Sequence, residues 1–276
     1  MNNAARLDRL SALLSGLAPR VQVMRPDASL SQMAFEADPS KGLWLHLVLN
    51  GEVELRIPRA QHLRTQAPVI LVCQAAWPHQ LLRLGDSGPH PDDLLCIRVH
   101  LDGPIAPWLL AEFEHTTLVP LENADPSLQQ TIALLQTELG EPRCGQPLLL
   151  DRAGDILFIG LLRHLVAHAR TGDGLFQGLS DPRLAATLVA LHTDPAADWC
   201  LETMAERAGM SRTAFANRFR DALKTTPGKY LSQLRLAMAQ RAVESGEGLK
   251  AAARRSGYAN ASALSRALSK ARALQA

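Results

Sequence analysis

Apolar residues recur along this chain with two different periods. Gly42-Leu-Trp-Leu-His-Leu-Val-Leu-Asn50 is a short, nearly unbroken apolar run, and Gly51-Glu-Val-Glu-Leu-Arg-Ile-Pro58 alternates with a period of two. Alternation of that kind marks a strand with one buried face. Asn50-Gly51 between the runs is a hairpin-turn signal. Val69–Cys73 and Leu94–Leu101 read as further strands. Residues 20–101, with short apolar runs broken by Pro, Gly and Asp, therefore predict a small β-barrel or sandwich. An amphipathic helix carrying Leu7, Leu10, Leu13, Leu14 and Leu17 precedes it.

From Pro120 onward the period becomes helical. Asp125-Pro126 supplies an N-cap and a proline for the first helical position, and Gly140 with Pro142 ends that helix. A second helix, Asp151 to Arg170, is led into by Leu148–Leu150. It carries Ile156, Leu157, Ile159, Leu161, Leu162, Leu165 and Val166. That apolar face is wider than packing on one neighbour requires. Thr171-Gly-Asp-Gly174 breaks the pattern and begins a linker to Asp181-Pro182.

The last 80 or so residues contain two similar segments. Leu201-Glu-Thr-Met-Ala-Glu-Arg-Ala-Gly-Met-Ser-Arg-Thr-Ala-Phe-Ala-Asn-Arg-Phe219 is one. Leu249-Lys-Ala-Ala-Ala-Arg-Arg-Ser-Gly-Tyr-Ala-Asn-Ala-Ser-Ala-Leu-Ser-Arg-Ala-Leu268 is the other. Each reads as a short helix ended by a glycine (Gly209, Gly257) and a second helix begun by a polar cap (Ser211, Asn260). Aligning the glycines places Ala205 on Ala253, Arg207 on Arg255 and Met210 on Tyr258; one extra residue in the second turn then brings Phe215 onto Leu264 and Phe219 onto Leu268. Two helix-turn-helix units joined by a helix suit the reading of DNA.

Charge sharpens this picture. Residues 1–180 hold 14 Lys and Arg against 19 Asp and Glu, a net of −5, whereas residues 181–276 hold 15 against 8, a net of +7. A basic C-terminal module suits a polyanion, because neutralised phosphates release condensed counterions. A length of 276 residues fits two domains, 1–174 and 175–276. Arg6, Asp8 and Arg9 interrupt any apolar signal core, and no stretch approaches the roughly 20 apolar residues of a spanning helix. Cys73, Cys96, Cys144 and Cys200 lack the close pairing of a metal motif and read as free thiols of a cytoplasmic protein.

The C-terminal run Trp199-Cys-Leu-Glu-Thr-Met-Ala-Glu-Arg-Ala-Gly-Met-Ser-Arg-Thr-Ala-Phe, followed by Phe219-Arg-Asp, Thr226-Pro-Gly-Lys-Tyr and Leu234-Arg, resembles the AraC/XylS family of bacterial transcription regulators over roughly residues 180–270. His46-Leu-Val-Leu-Asn-Gly, Trp77-Pro-His79 and the strand with Cys96 resemble the cupin-type sensor domain of some of these regulators, over residues 5–170. The resemblance implies an α+β fold. A cupin-like sensor and dimerisation domain with flanking helices would precede an all-α DNA-binding domain. It also implies a homodimer formed through residues 151–170, double-stranded promoter DNA as partner, and RNA polymerase as a further partner of an activator. Two features depart from the cupin pattern: Ala67-Pro68 stands where Gly-Asp is usual, and Cys73 where proline is common. The chain reads Leu268-Ser-Lys-Ala-Arg-Ala-Leu-Gln-Ala276 where the family continues with a Gly-x-x-Pro-x-x-Tyr-Arg segment, and has Leu264 and Leu268 where aromatics are usual. A thinner core in the second unit, with most base discrimination in the first, is the corresponding expectation.

With Phe215 and Phe219 turned inward, the first recognition helix offers Arg212, Thr213, Ala216, Asn217 and Arg220 to DNA. Arg212 and Asn217 have the chemistry to contact guanine and adenine bidentately. The second helix offers Ala261, Ser262, Ser265, Arg266 and Ser269, with Lys270 suited to a phosphate. A linking helix over about Pro227–Ser245 would span roughly 28 Å, close to one turn of the duplex. In the barrel, His46, His62, His79, His90 and His100 show no His-x-His or His-x-Glu pair, so neither a metal, a cofactor nor catalysis is expected. His46 and His79 remain candidates for contact with an effector. Cys73 and Cys96, on strands that neighbourhood could bring together, are candidates for a redox or electrophile switch, against the alternative of two buried small hydrophobes. Cys200, beside Trp199, is expected to pack. The function these observations support is sequence-specific transcription regulation in response to a small molecule or a redox or electrophile signal. The alternative is a cupin metalloenzyme with a helical appendage.

Overall fold

The computed structural model describes residues 9–24, 31–58, 62–84, 94–122, 124–140, 143–169 and 174–273. Leu7, His90, Pro142, residues 171–173 and residues 274–276 lie outside the described residues. The chain divides into two compact units. One comprises Pro19–Asp102 with Leu110–His164; the other comprises the segment up to Ala18, Gly103–Leu109 and everything from Leu165.

The first of these is an all-antiparallel two-sheet barrel followed by helices. Its strands are β1 (Pro19–Met24), β2 (Gln32–Phe35), β3 (Gly42–Val48), β4 (Glu52–Arg56), β5 (Leu63–Gln66), β6 (Val69–Gln74), β7 (His79–Leu84), β8 (Leu94–Leu101) and β9 (Thr117–Pro120). One sheet has the order β1-β8-β3-β6-β9 and the other β2-β7-β4-β5. Two expected strands, 69–73 and 94–101, form β6 and β8. The expected hairpin at Asn50-Gly51 does not form. The turn is present, with Gly51 at a φ of +80°, but β3 pairs with β6 and β8 while β4 pairs with β5 and β7. The turn carries the chain from one sheet to the other. Asn-Gly reports a sharp reversal, and whether the strands then pair is decided by which sheet buries each apolar face.

The interior between the sheets is filled from both. Trp44, Val48, Leu71, Cys73, Leu94 and Cys96 come from one sheet, and Met33, Val53, Leu55 and Leu81 from the other. All seven residues of β3 are buried, which explains why its sequence runs apolar instead of alternating. At one end, Arg98 is buried with its guanidinium on Asp38 Oδ2 at 2.6 Å and on the Val99 carbonyl at 2.8 Å. Gly42 is required there, because a Cβ would lie 2.1 Å from Arg98 Nη1.

In chain order the short α2 (Ala106–Ala111) comes next, most of it in the other unit, and the barrel unit continues with α3 (Pro126–Gly140) and α4 (Gln146–Ala167). Asp125 caps α3 through the Ser127 N–H, as its sequence position suggests. The α4 helix lies against β1, where Gly154 faces Val21 and Val23 at 2.8 Å from a built Cβ, and Asp151 accepts from the Val23 N–H at 2.9 Å. Leu157, Phe158, Leu161 and Leu162 are buried, Ile159 is half-buried, and Ile156 and Leu148 are exposed at 53% and 64%.

The other unit is helical. Here α1 (Arg9–Leu17) packs on α6 (Pro182–Thr193), with α5 (Leu175–Ser180) alongside. Then come α7 (Leu201–Arg207), α8 (Arg212–Leu223), α9 (Pro227–Glu244), α10 (Leu249–Ser256) and α11 (Ala261–Ala273). Among the described residues, no helix is long and apolar enough to cross a membrane.

Candidate functional site

Two helix-turn-helix units are built by the capping chemistry read from the sequence. In the first, α7 ends at Gly209, whose φ is +63°, and the Ser211 side chain accepts from the Ala214 N–H to start α8. In the second, α10 ends at Gly257, with a φ of +78°, and Asn260 Oδ1 accepts from the Ala263 N–H at 2.8 Å to start α11. Both glycines occupy the left-handed region where a side chain is strained. Thr226 and Pro227 start α9, which packs on α8, α10 and α11. Its 18 residues span about 27 Å. Arg235 of α9 donates to the carbonyls of Pro195 and Ala197 at 2.7 and 2.8 Å, tying this helix to the loop before α7. A Cβ on Gly257 would meet the same guanidinium at 2.8 Å, so α10 closes onto that staple.

The inward positions are as the periodicity requires. Phe215 and Phe219 are fully buried, with ring centroids 5.5 Å apart, and Phe219 meets the buried Tyr230 edge-on at 5.6 Å. Leu264 and Leu268 are buried among Ala239, Ala242, Ala252 and Ala253. On the outer side Arg212, Thr213, Asn217 and Arg220 are exposed and Ala216 is half-buried; Ser262, Ser265, Arg266, Ser269 and Lys270 are exposed and Ala261 is half-buried. Two contacts were not foreseen. Arg212 is ion-paired to Glu202 of α7, and Arg218 to Asp181 at the start of α6. Glu202 is held below the usual carboxylate range, first by its hydrogen bond from Arg212. The Arg212–Glu202 pair, exposed on both sides, contributes little to stability and exchanges partners readily.

Cys200 differs from expectation. It is exposed, at the N-cap position of α7, where its N–H donates to the Thr203 hydroxyl at 3.0 Å. Trp199 instead anchors the turn by donating to the Asp194 carbonyl at 2.7 Å.

In the barrel, the four candidates His46, His79, Cys73 and Cys96 converge on one buried cluster. Sheet register explains why. Trp44 and His46 point inward from β3; Cys73 on β6 is the partner of Trp44, and Cys96 on β8 is the partner of His46. His79, at the start of β7, reaches the same point from the opposite sheet. His46 Nε2 lies 2.8 Å from His79 Nε2, His46 Nδ1 lies 3.2 Å from Cys96 Sγ, and His79 Nδ1 lies 2.9 Å from the Trp77 carbonyl. A carbonyl only accepts, so His79 carries its proton on Nδ1. Its bare Nε2 then accepts from the His46 Nε2–H, and the bare Nδ1 of His46 accepts from the Cys96 thiol. The relay is complete with both rings neutral, and burial pushes both imidazoles below their ordinary range. Phe35 stacks on His79 at 4.8 Å. A cleft of about 300 Å³ lined by Phe35, Arg56, His62 and His79 opens onto this end of the barrel.

The two barrel cysteines are buried and unbonded, as the reading of two small buried hydrophobes has it. Cys73 and Cys96 lie on the strands flanking β3 and are both free. Two strand spacings put their backbones about 10 Å apart, beyond the roughly 4.4–6.8 Å a disulfide spans. Burial also pushes the Cys73 thiol up to about 12 and the Cys96 thiol higher still. Neither is a ready thiolate. Among the described residues, His46 and His79 have a third potential ligand beside them, Cys73, supplied by a strand that sequence spacing does not connect to them.

Comparison with known proteins accords with this geometry. The cupin family matches residues 8–167, and the helix-turn-helix domain matches residues 204–274. A protein of Streptomyces lividans named as an AraC-like transcription regulator is 31% identical over 141 residues, covering 50% of this chain and 46% of that one. The chain thus spans about half the length of the first curated relatives it matches. The RCS-specific HTH-type transcriptional activator RclR of Escherichia coli is 26% identical over 84% of this chain and 82% of its own. Among solved structures, ToxT of Vibrio cholerae aligns over 91% of this chain and of its own at 12% identity with a TM-score of 0.35, a likeness too distant to carry an argument. With the cupin match spanning more than half of its residues and the tandem helix-turn-helix following, the chain belongs to the cupin-bearing regulators of the AraC/XylS type.

Proposed function

We propose that the protein is a sequence-specific DNA-binding transcription regulator whose barrel domain senses a small molecule. The observation that carries this reading is the pair of capped recognition helices, α8 and α11. Each buries two large apolar side chains one turn apart; α8 presents exposed Arg212, Thr213, Asn217 and Arg220, and α11 presents exposed Ser262, Ser265, Arg266 and Lys270. Linked through an α9 about as long as one duplex turn, they fit successive major-groove faces. Arg212 and Asn217 are the base readers of the first unit, with Thr213, Ala216 and Arg220 beside them; Arg266 is the reader of the second, with Ser262, Ser265 and Lys270 toward the backbone. On binding, Arg212 exchanges Glu202 for DNA.

The division of labour is a sensor and dimerisation domain up to about residue 174 and a DNA-binding domain after it. The partners are promoter duplex DNA, a second copy of this chain and, if transcription is activated, RNA polymerase; the protein acts in the cytoplasm and is not an enzyme. The dimer contact is assigned to the outer side of α4, where Leu148 and Ile156 stand exposed two turns apart and Ile159 borders them. His46, His79, Cys73 and Cys96 line the region where an effector would be sensed, reached through the adjoining cleft. The high thiol pKa values favour a bound ligand over an electrophile trap. Mapping of chromosomal DNA bound by the full chain tests the reading. Discrete sites upstream of genes are expected. An even distribution over the chromosome, or turnover of a substrate by the purified protein, would overturn it.

A further inference from the structure

The buried cluster does more than fill the barrel. Among the described residues, His46, Cys73 and His79 form a group whose potential ligand atoms all lie within 4.8 Å of one another. We propose that the barrel holds one zinc(II) ion through His46 Nε2, His79 Nε2 and Cys73 Sγ. Cys96 would fix His46 from behind, and the fourth position would be open to water or a small ligand.

The ligand chemistry selects the ion. Two neutral imidazoles and a thiolate suit zinc, whereas no carboxylate belongs to the group, so the hard ions magnesium and calcium have nothing to hold them. The set is not a His-x-His pair, since Val48 stands two residues after His46. Tetrahedral zinc with ordinary bond lengths places its nitrogens about 3.3 Å apart and nitrogen and sulfur about 3.5 Å apart. From the 2.8 Å separation of the two Nε2 atoms, the rings need to part by only about half an ångström. Cys73 closes toward them by no more than about 1.3 Å from its 4.8 Å limit.

The surroundings already provide what metal-bound histidines require behind them. His79 donates its Nδ1–H to the Trp77 carbonyl, which leaves Nε2 bare and aimed into the group. His46 changes tautomer: its proton moves from Nε2 to Nδ1, where it donates to Cys96 Sγ across the same 3.2 Å contact. Cys73 gives up its thiol proton to solvent and forms the Zn–S bond, so one proton is released per ion bound. Burial keeps that thiol protonated in the absence of a cation; coordination supplies the charge that ionises it. The cleft at Phe35, Arg56 and His62, which reaches His79, gives the ion a way in.

This inference concerns the barrel alone and stands independently of DNA reading. Full-length protein stripped with chelator and titrated with zinc should take up one ion per chain, releasing one proton. Substitution by cobalt(II) should give thiolate-to-cobalt charge-transfer absorption. Cys73→Ser and His79→Gln should abolish stoichiometric uptake. Cys96→Ser should weaken it by about 10–100-fold, as loss of a partner behind a metal-bound histidine does. Cys144→Ser, at an exposed position, should change nothing. Because Cys73 is buried, each variant is checked for wild-type circular dichroism; should Cys73→Ser fail to fold, the cobalt spectrum of the unaltered chain decides alone. Folded wild-type protein that takes up less than one zinc, or a cobalt adduct without thiolate absorption, overturns the proposal.

Discussion

At the scale of single residues, His192 is a group whose titration reports on the helical unit. Its Nε2 meets the Tyr230 hydroxyl at 2.7 Å, while its Nδ1 is shut off from solvent with no partner among the described residues. A charged imidazolium would leave an N–H with nothing to donate to, and burial accordingly pushes its pKa down to about 4. The unfolded chain takes up this proton below about 6.5, and the folded chain refuses it until about 4. Stability is therefore full above pH 6.5 and falls as pH drops toward 4, by on the order of 3 kcal/mol from this group. His192→Gln should flatten the unfolding temperature against pH over that window; an unchanged slope would show that another group carries it.

Sequence showed different amounts of the two sites. Phe215, Phe219, Leu264 and Leu268 were legible, because in a capped helix of known start the inward positions follow from the period. The outward residues followed from them. The ion pair of Arg212 with Glu202 was not, because it depends on how α7 and α8 cross. The barrel cluster was legible only as four separate names. What unites His46, Cys73, Cys96 and His79 is the register of β3 with β6 and β8 and the facing of two sheets. Spacing along the chain encodes neither.

At the scale of elements, the two helix-turn-helix units differ in what fills them. The first is closed by Phe215, Phe219 and Tyr230, all fully buried. The second is closed by Leu264, Leu268 and four alanines. Each aromatic replaced by a smaller side chain forgoes apolar contact on the order of 1 kcal/mol. The amides of residues 249–270 are thus expected to exchange with solvent faster than those of residues 201–222. The second unit, whose outer side is mostly Ser and Ala around Arg266 and Lys270, should grip phosphate more than it discriminates bases. Equal protection of both units, together with strong loss of specificity in Arg266→Ala, would contradict this. The Asn50-Gly51 turn gives the complementary lesson. Local chemistry specified the reversal correctly, but the partner of each strand is a non-local choice, and β3 took β6 and β8 instead of its neighbour in sequence.

At the scale of the whole molecule, the sequence marked an apolar excess on residues 151–170, with Ile156 and Ile159 both part of it. The structure separates the excess into two parts. Leu157, Leu161 and Leu162 serve the interior, whereas Ile156, at 53% exposure, lies on the outer side with Leu148. Ile156→Asp should therefore yield a folded monomer by sedimentation, since a carboxylate is costly to bury in an apolar contact. Ile159→Asp, at a half-buried position, should also lower stability. A dimer that survives Ile156→Asp would place the contact elsewhere.

The central claim, that two recognition helices read one duplex, is tested most directly by selecting bound sequences from random duplex DNA with the full-length chain and two variants. The wild type should enrich a motif with two parts about one helical turn, or roughly 10 base pairs, apart. Asn217→Ala should lose about 1–3 kcal/mol of discrimination at one position of the first part. Lys270→Ala should keep the motif intact, weaken all sites alike and reduce the salt dependence of binding by about one counterion. No enrichment by the wild type, or an identical motif from Asn217→Ala, would contradict the account.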